Sequence, residues 1–413
     1  MTAPASGSGK TAAAMSFTFV VLYLSGLSAF GSFVNDMYSP SLPSMARFFG
    51  CTASTAQLGL SAGMVGLALG QIFLGPFSYK YGRKTALLLS LLLFLAAAAV
   101  SIFSPTIHFF IATRLFQGMG AAGGYFLART IPADIYSGRT LAKCMAVMGG
   151  INGIAPASAP VIGGFVSEYY TWKGVFVALA AFCLILLLIS PALKETMPPS
   201  ERPKGSLWSN FRNYPTLLRN SRFMTHCLFK GSALGLLFAY ISATPFIFQV
   251  HFGWSASYYG LFIGFNALFV AAGSVVSLRF HPLKKAAFVG SVLLVVAAVS
   301  EGIALWFFHD FWLCEALLIP MCFSLGLIFA VTNTLAMNEG RRFAGAASAI
   351  LGVSGYVFGA IVTPLVGVAD IPRSTAIVLI VMSLITLFFS FRSRSIPADL
   401  MDSAAADVPA PQK

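Results

Sequence analysis

Charge is what this chain has least of. Only 9% of its 413 residues are charged, against about a quarter in soluble globular proteins, and acids are the scarcer sign, with 13 Asp and Glu against 26 Lys and Arg. With 57% of residues hydrophobic, that scarcity excludes a soluble globular protein and indicates an integral membrane protein. The formal net charge of +13 does not indicate a nucleic-acid partner, because the bases stand in short clusters between apolar runs, as they do in cytoplasmic membrane loops. Paired cysteine spacing is also missing. Cys51, Cys144, Cys183, Cys227, Cys314 and Cys322 mostly lie within apolar segments, so neither a disulfide framework nor a metal site is supported, and no cofactor is expected. The five histidines fall at or near segment ends, which leaves no candidate for a buried imidazole relay. No nucleophile–base pair or metal-ligand cluster is visible, so an enzyme is not expected. The run Gly7-Ser-Gly9-Lys10-Thr11 has Pro4 where a phosphate-binding loop needs glycine, and no strand precedes it.

Long apolar runs are what the chain has instead. A bilayer crossing takes about 20 apolar residues. Helical spans are expected over residues 15–43, 55–79, 84–104, 106–133, 140–167 and 171–193, and again over 223–250, 256–279, 285–308, 311–338, 343–368 and 372–391. The resulting organisation is a tail at 1–14, a six-helix bundle at 15–193, a linker at 194–222, a second six-helix bundle at 223–391 and a tail at 392–413. The segment from Met15 is too long and uninterrupted for a cleaved signal peptide. Basic residues collect on one side: Lys10, Lys80, Arg83, Lys84, Arg139, Lys143, the linker cluster from Lys194 to Arg222, Arg279, Lys284, Lys285, Arg341, Arg342, Arg392 and Arg394. The other side carries Arg47, Lys173 and Arg373. This asymmetry predicts that both termini and the linker are cytoplasmic, which requires an even number of crossings.

The two sets of spans echo each other. The fifth span contains Gly149, Gly153, Pro156, Pro160, Gly163 and Gly164, and the corresponding span of the second set contains Gly345, Gly352, Gly355, Gly359, Pro364 and Gly367. Positions 149, 153, 156, 160 and 163 share one helical face, where small residues admit a close neighbour and prolines permit bending. Gly/Pro-interrupted helices in matching places point to a transporter whose two bundles rock about a site between them.

Two charges inside apolar sequence mark that site. Asp36 follows the uncharged run Met15 to Ser32, where an ionised carboxylate costs roughly 2.5–3.5 kcal/mol on insertion scales. Arg114 opens a face continued by Gln117, Gly118, Ala121 and Tyr125. The expectation is that acid and base share a water-accessible cavity in which desolvation favours protonated Asp36 and a nearby Arg114 favours the carboxylate. The alternatives are that Asp36 caps a helix break near Pro40 and Pro43, and that Arg114 satisfies backbone carbonyls at a break.

Four motifs make the chain resemble the major facilitator superfamily, and within it the proton-coupled drug antiporters of the bicyclomycin-resistance and chloramphenicol-efflux (Bcr/CflA) type. Asp36-Met-Tyr-Ser-Pro-Ser-Leu-Pro43 resembles the first-helix signature of that branch. Gly75-Pro-Phe-Ser-Tyr79-Lys80-Tyr-Gly82-Arg83-Lys84 resembles the superfamily's loop motif, Arg114-Leu-Phe-Gln117-Gly118-Met-Gly120 its fourth-helix motif, and Ala159-Pro160-Val-Ile-Gly163-Gly164 its antiporter motif. The chain departs from the pattern at Tyr79, where the family has an aspartate that holds the outward-facing state, and at Ala159, where it has glycine. Ser28 stands where some of these antiporters carry a second acid. Arg83 is left to pair with Asp134.

The resemblance implies an all-α membrane protein of about 12 transmembrane helices in two bundles around a central cavity. It implies proton-coupled efflux of small, mainly apolar drug-like molecules across a bacterial inner membrane, by a monomer that carries protons and substrate. Helices one, four, seven and ten would line the cavity, which brings in Lys230, with a long stem that can alternatively snorkel to lipid phosphates, and Glu315 near the extracellular end. Glu301 falls on a peripheral helix. The expected lining is Tyr38, Met64, Tyr125, Phe126, Phe238, Tyr240, Phe246 and Phe323, adaptable surfaces for varied ligands, with polar contacts from Gln117, Asn266 and Asn333. Gly75, Lys80, Gly82, Arg83 and Lys84 would act in gating. Other readings are a dedicated exporter of one metabolite, such as a nucleoside, sugar or amino acid, and a transport-dead sensor or scaffold.

Overall fold

The structure is a computed structural model that describes residues 15–202, 211, 214–308 and 310–396. The expected tail at 1–14, the outer part of the other tail at 397–413, and linker residues 203–210, 212 and 213 lie outside the described residues, as do Lys10, Lys204 and Arg212 of the charge asymmetry.

Among the described residues the chain is helical from end to end. The first span is Phe17–Asp36, the second Ala53–Tyr81, the third Arg83–Ile102 and the fourth Ile107–Ile135. Gly138–Ile189 holds the fifth and sixth, because the backbone leaves helical geometry at Tyr170 and Thr171 and turns back there. Ser221–Phe246, Ala256–Ser277, Leu283–Ile303, Phe311–Glu339, Ala344–Val362 and Ile371–Arg394 form spans seven to twelve. The fourth span is long enough to cross a bilayer and carries Arg114, Arg129 and Asp134. Side-chain caps fix several starts: Thr52, Thr106, Asn220, Ser255, Asp310 and Asp370 each accept a backbone N–H of the turn they precede.

The single helix expected over 15–43 is broken. Pro40 has no N–H to offer the Asp36 carbonyl, and the Ser39 hydroxyl donates to that carbonyl instead at 3.0 Å. A 3₁₀ turn at Ser39–Ser41 follows, then a short helix at Leu42–Phe49, closed by Gly50 at φ +62°.

Two apolar cores result. One is built by spans one to six, with Phe238 and Phe246 of the seventh reaching into it; the other is built mainly by spans seven to ten and twelve. A smaller cluster joins Leu217, from a short linker helix, to Phe223, Cys227, Ala336 and Ala347.

The bonds that join the halves lie toward the end of the molecule away from Phe17 and Arg394, here the distal end. Gln249 donates to the Pro40 carbonyl at 2.9 Å, Ser54 to the Pro364 carbonyl at 2.9 Å and Gln57 to the Ser242 carbonyl at 2.9 Å, while Glu168 accepts the Ser257 N–H at 2.9 Å. Glycines press the backbones together there. A Cβ on Gly164 would strike the Ala256 carbonyl, one on Gly260 the Pro160 carbonyl, and one on Gly264 would lie 2.7 Å from the Ala157 carbonyl. At the terminal end the fifth span is free of such neighbours, with open space at Gly149, Gly150 and Gly153. The halves are sealed distally, and the terminal part of the fifth span makes no such approach.

Candidate transport site

Asp36 closes the first span, where helix carbonyls already concentrate negative charge and a carboxylate is disfavoured. It is half-buried, and among the described residues no hydrogen bond or ion pair engages its carboxylate. The Ser39 hydroxyl that donates to its carbonyl also meets the Tyr259 hydroxyl of the eighth span at 3.3 Å, so the turn after Asp36 lies at the seam between the halves.

Arg114 does not join it. The guanidinium is 0% exposed and its donors go to the Val34 carbonyl at 3.0 Å, the Gly59 carbonyl at 3.4 Å and Gln117 Oε1 at 2.7 Å. The Tyr38 ring lies 4.8 Å from its centre. The expected acid–base pair is therefore corrected: the break after Asp36 leaves first-span carbonyls without helical partners, and a five-donor cation is the group suited to take one of them. Arg114 ties the fourth span to the first and second from inside one half.

The same correction moves other expected lining residues. Tyr38 is fully buried, donating to the Ala56 carbonyl at 3.4 Å and packing against Phe110 and Phe176. Gln117 spends its amide on Arg114 and on the Ala97 carbonyl. Phe126 packs beneath Gly75 inside the first half. Tyr240 and Asn266 face each other within the second half, Asn266 Nδ2 donating to the tyrosine hydroxyl at 3.0 Å. Phe323 is half-buried, with its backbone against Gly273 in the same half.

Met64, Phe238 and Phe246 lie where the halves face each other. Gly359 of the eleventh span backs onto Met64 and Phe238, and Phe238 stacks on Tyr356 with ring centres 6.1 Å apart. Lys230 donates to Asn333 Oδ1 at 2.9 Å, a bond from the seventh span to the tenth rather than a stem reaching to lipid. Tyr125 accepts from Arg129, whose guanidinium lies 4.1 Å from the ring. Arg129 and Tyr356 were not anticipated. The available signal for Arg129 was a second arginine inside the fourth span, one turn beyond Tyr125.

Glu315, expected in contact with water, is 5% exposed, and Glu301 is 3% exposed. Both Glu315 oxygens, Glu301 Oε2 and Asn266 Oδ1 lack hydrogen-bond partners among the described residues. They sit inside the second half, away from the seam.

The loop after the second span is held without the usual acid. Arg83 donates to Asp134 at 3.0 Å and to the Ser78 hydroxyl at 2.7 Å, and the Tyr79 ring lies 4.1 Å from its guanidinium centre, covering the face an aspartate would otherwise approach. Glu195 accepts the backbone N–H groups of Arg83 and Lys84 across Gly82, whose φ of +100° and crowded Cβ direction require glycine. The Lys84 ammonium donates to the Pro191 carbonyl, while Lys80 lies 5.7 Å from the Tyr81 ring. Of the expected flexible stripe, Gly163 packs on the Met37 carbonyl and Gly164 and Pro160 meet the eighth span; Pro156 lies inside the helix and Gly153 faces open space.

A helical membrane protein with an unpartnered carboxylate between two halves is built as a transporter, not an enzyme. The chain belongs to the Major Facilitator Superfamily, whose family model matches residues 24–364. It is 33% identical, over 88% of its own length and 90% of the relative's, to an uncharacterised MFS-type transporter, YdgK, of Bacillus subtilis. It is 27% identical to a bicyclomycin resistance protein homologue of Haemophilus influenzae over 84% and 89% of the two chains, and 25% identical to the multidrug resistance protein MdtL of Escherichia coli over 82% and 84%. The fold matches a bacterial homologue of the human lysosomal transporter Spinster, crystallised inward-facing (TM-score 0.73, 14% identity, 92% and 97% coverage), and the xylose transporter XylE of E. coli in a partially occluded inward-open form (TM-score 0.72, 12% identity, 92% and 98% coverage).

Proposed function

We propose that this protein exports small, mainly apolar drug-like molecules across a bacterial inner membrane in exchange for protons, as an antiporter of the Bcr/CflA type working as a monomer. The observation that carries the reading is Asp36: a half-buried carboxylate with no partner among the described residues, at a turn whose Ser39 hydroxyl meets Tyr259 of the other half. A group so placed exchanges its proton with whichever side the cavity faces, and its charge is felt by both halves. Met64, Phe238 and Tyr356 supply an apolar surface between the halves, and the multidrug and bicyclomycin names of two relatives support the substrate class. Basic residues at the terminal end support a cytoplasmic location for both termini, so the cavity would open inward.

The test is transport in reconstituted vesicles under an imposed pH gradient. Wild-type protein drives substrate against its gradient; Asp36→Asn retains insertion and substrate binding but loses uphill transport. Uphill transport at the wild-type rate in Asp36→Asn would remove the carboxylate from the mechanism.

A further inference from the structure

Spans nine and twelve lie side by side, and at their terminal ends they border a cavity of about 490 Å³ lined by Pro282, Lys284, Lys285, Phe288, Val289 and Arg394. Half of those six residues are cations, and no acid is among them. Lys284 and Lys285 stand in the first turn of span nine, and Arg394 is the last residue of span twelve. No side chain caps the start of span nine. Two cations at a helix start oppose the helix dipole, so an anion seated there satisfies both the dipole and the side chains. The Lys284 ammonium donates to the Ile396 carbonyl at 2.6 Å, tying span nine to the chain just beyond span twelve. The Arg394 guanidinium centre lies 4.3 Å from the Phe288 ring, which packs edge-on against Phe391 with centres 5.2 Å apart. From this floor two apolar stripes run along the spans: Val289, Val292 and Val296 on the ninth, and Phe391, Phe388 and Leu384 on the twelfth. Every one of these six side chains is more than a third exposed. A free anion would use the cations and leave the stripes untouched. A phospholipid meets both.

We infer that this cavity seats the phosphate of an anionic phospholipid at the terminal-end surface of the bilayer, with Lys285 and Arg394 on its oxygens and its acyl chains along the two apolar stripes. The site involves neither Asp36 nor the bonds between the halves, so it stands whether or not the protein exchanges protons.

The probes are dioleoyl phosphatidylglycerol and dioleoyl phosphatidylcholine, which share their acyl chains and differ in net charge. Equal amounts are offered to the full-length protein in uncharged detergent, and the first lipid bound is read by native mass spectrometry. Wild-type protein should prefer phosphatidylglycerol. Lys285→Gln and Arg394→Gln should each cut that preference about fivefold, the effect of one basic residue at a membrane surface. Lys285→Arg should keep it, which separates loss of the charge from damage to the fold. Arg139→Gln removes a cation from another exposed position at the terminal end and should leave the preference unchanged. Equal binding of both lipids by wild-type protein would overturn the site, and so would a loss in Arg139→Gln as large as in the cavity variants, which would mean diffuse attraction. Free glycerol phosphate should not displace the lipid at matched concentration; displacement on equal terms would overturn the lipid in favour of a soluble phosphate. A preference that emerges only when Asp399→Asn and Asp402→Asn are introduced would overturn it in favour of the chain's own carboxylates.

Discussion

Arg114 and Asp36 looked like a pair in the sequence because both are charges stranded in apolar runs, yet they do different work. The arginine is consumed by two carbonyls and a glutamine, whereas the acid is unengaged. Their variants should therefore part company. Arg114→Lys keeps the charge but cannot span three acceptors, and each charge-assisted bond lost costs about 1.5–3 kcal/mol. It should lower the melting temperature of the detergent-solubilised protein without any gradient being present, while Asp36→Asn should melt near wild type. Equal melting temperatures for wild type and Arg114→Lys would show that the guanidinium is not a strut. The displacement of Tyr38 and Gln117 from the expected lining has the same origin: residue type and spacing put them on a plausible face, but the demands of a buried guanidinium decided which way they point. Arg129 escaped notice because an arginine near a span's end reads as part of the cytoplasmic rim.

At the scale of elements, the spans were legible because an uninterrupted apolar run is a strong signal; the third, expected at 84–104, is Arg83–Ile102, and the eighth, expected at 256–279, is Ala256–Ser277. The first span's break was legible only in part. Pro40 and Pro43 announced it, but its position is fixed by the Ser39 hydroxyl at the Asp36 carbonyl, a local competition that hydropathy does not register. The fifth span's stripe of small residues also divides on contact: Gly163 is pressed against the Met37 carbonyl and Gly153 faces open space. Overpacking a tight site costs typically about 1–3 kcal/mol, so Gly163→Leu should lower the melting temperature of the purified protein and Gly153→Leu should not. Similar losses from both would mean that the terminal half of this helix is packed as tightly as the distal half.

For the whole molecule, the bonds between the halves define one state, closed distally. A covalent link across the closed end should hold it there. With Cys51 replaced by serine, the double variant Glu168→Cys, Ser257→Cys, on residues already hydrogen-bonded across the closure, should crosslink with a short bifunctional thiol reagent, lose transport in vesicles, and regain it when a cleavable linker is cut. Transport that continues after complete crosslinking would mean that these helices need not separate during the cycle. The membrane class and span order followed from composition; the state did not, because two conformations of one chain share every residue and differ only in which faces touch.

Gly163 rests on the carbonyl of Met37, and Met37 is the residue after Asp36. The acid thus stands one peptide unit from a contact with the fifth span, whose next residue, Gly164, meets the eighth span across the closure. No long relay of side chains is needed to carry news of a proton from the acid to the closure; a small shift of the first span's last turn is felt directly by the fifth.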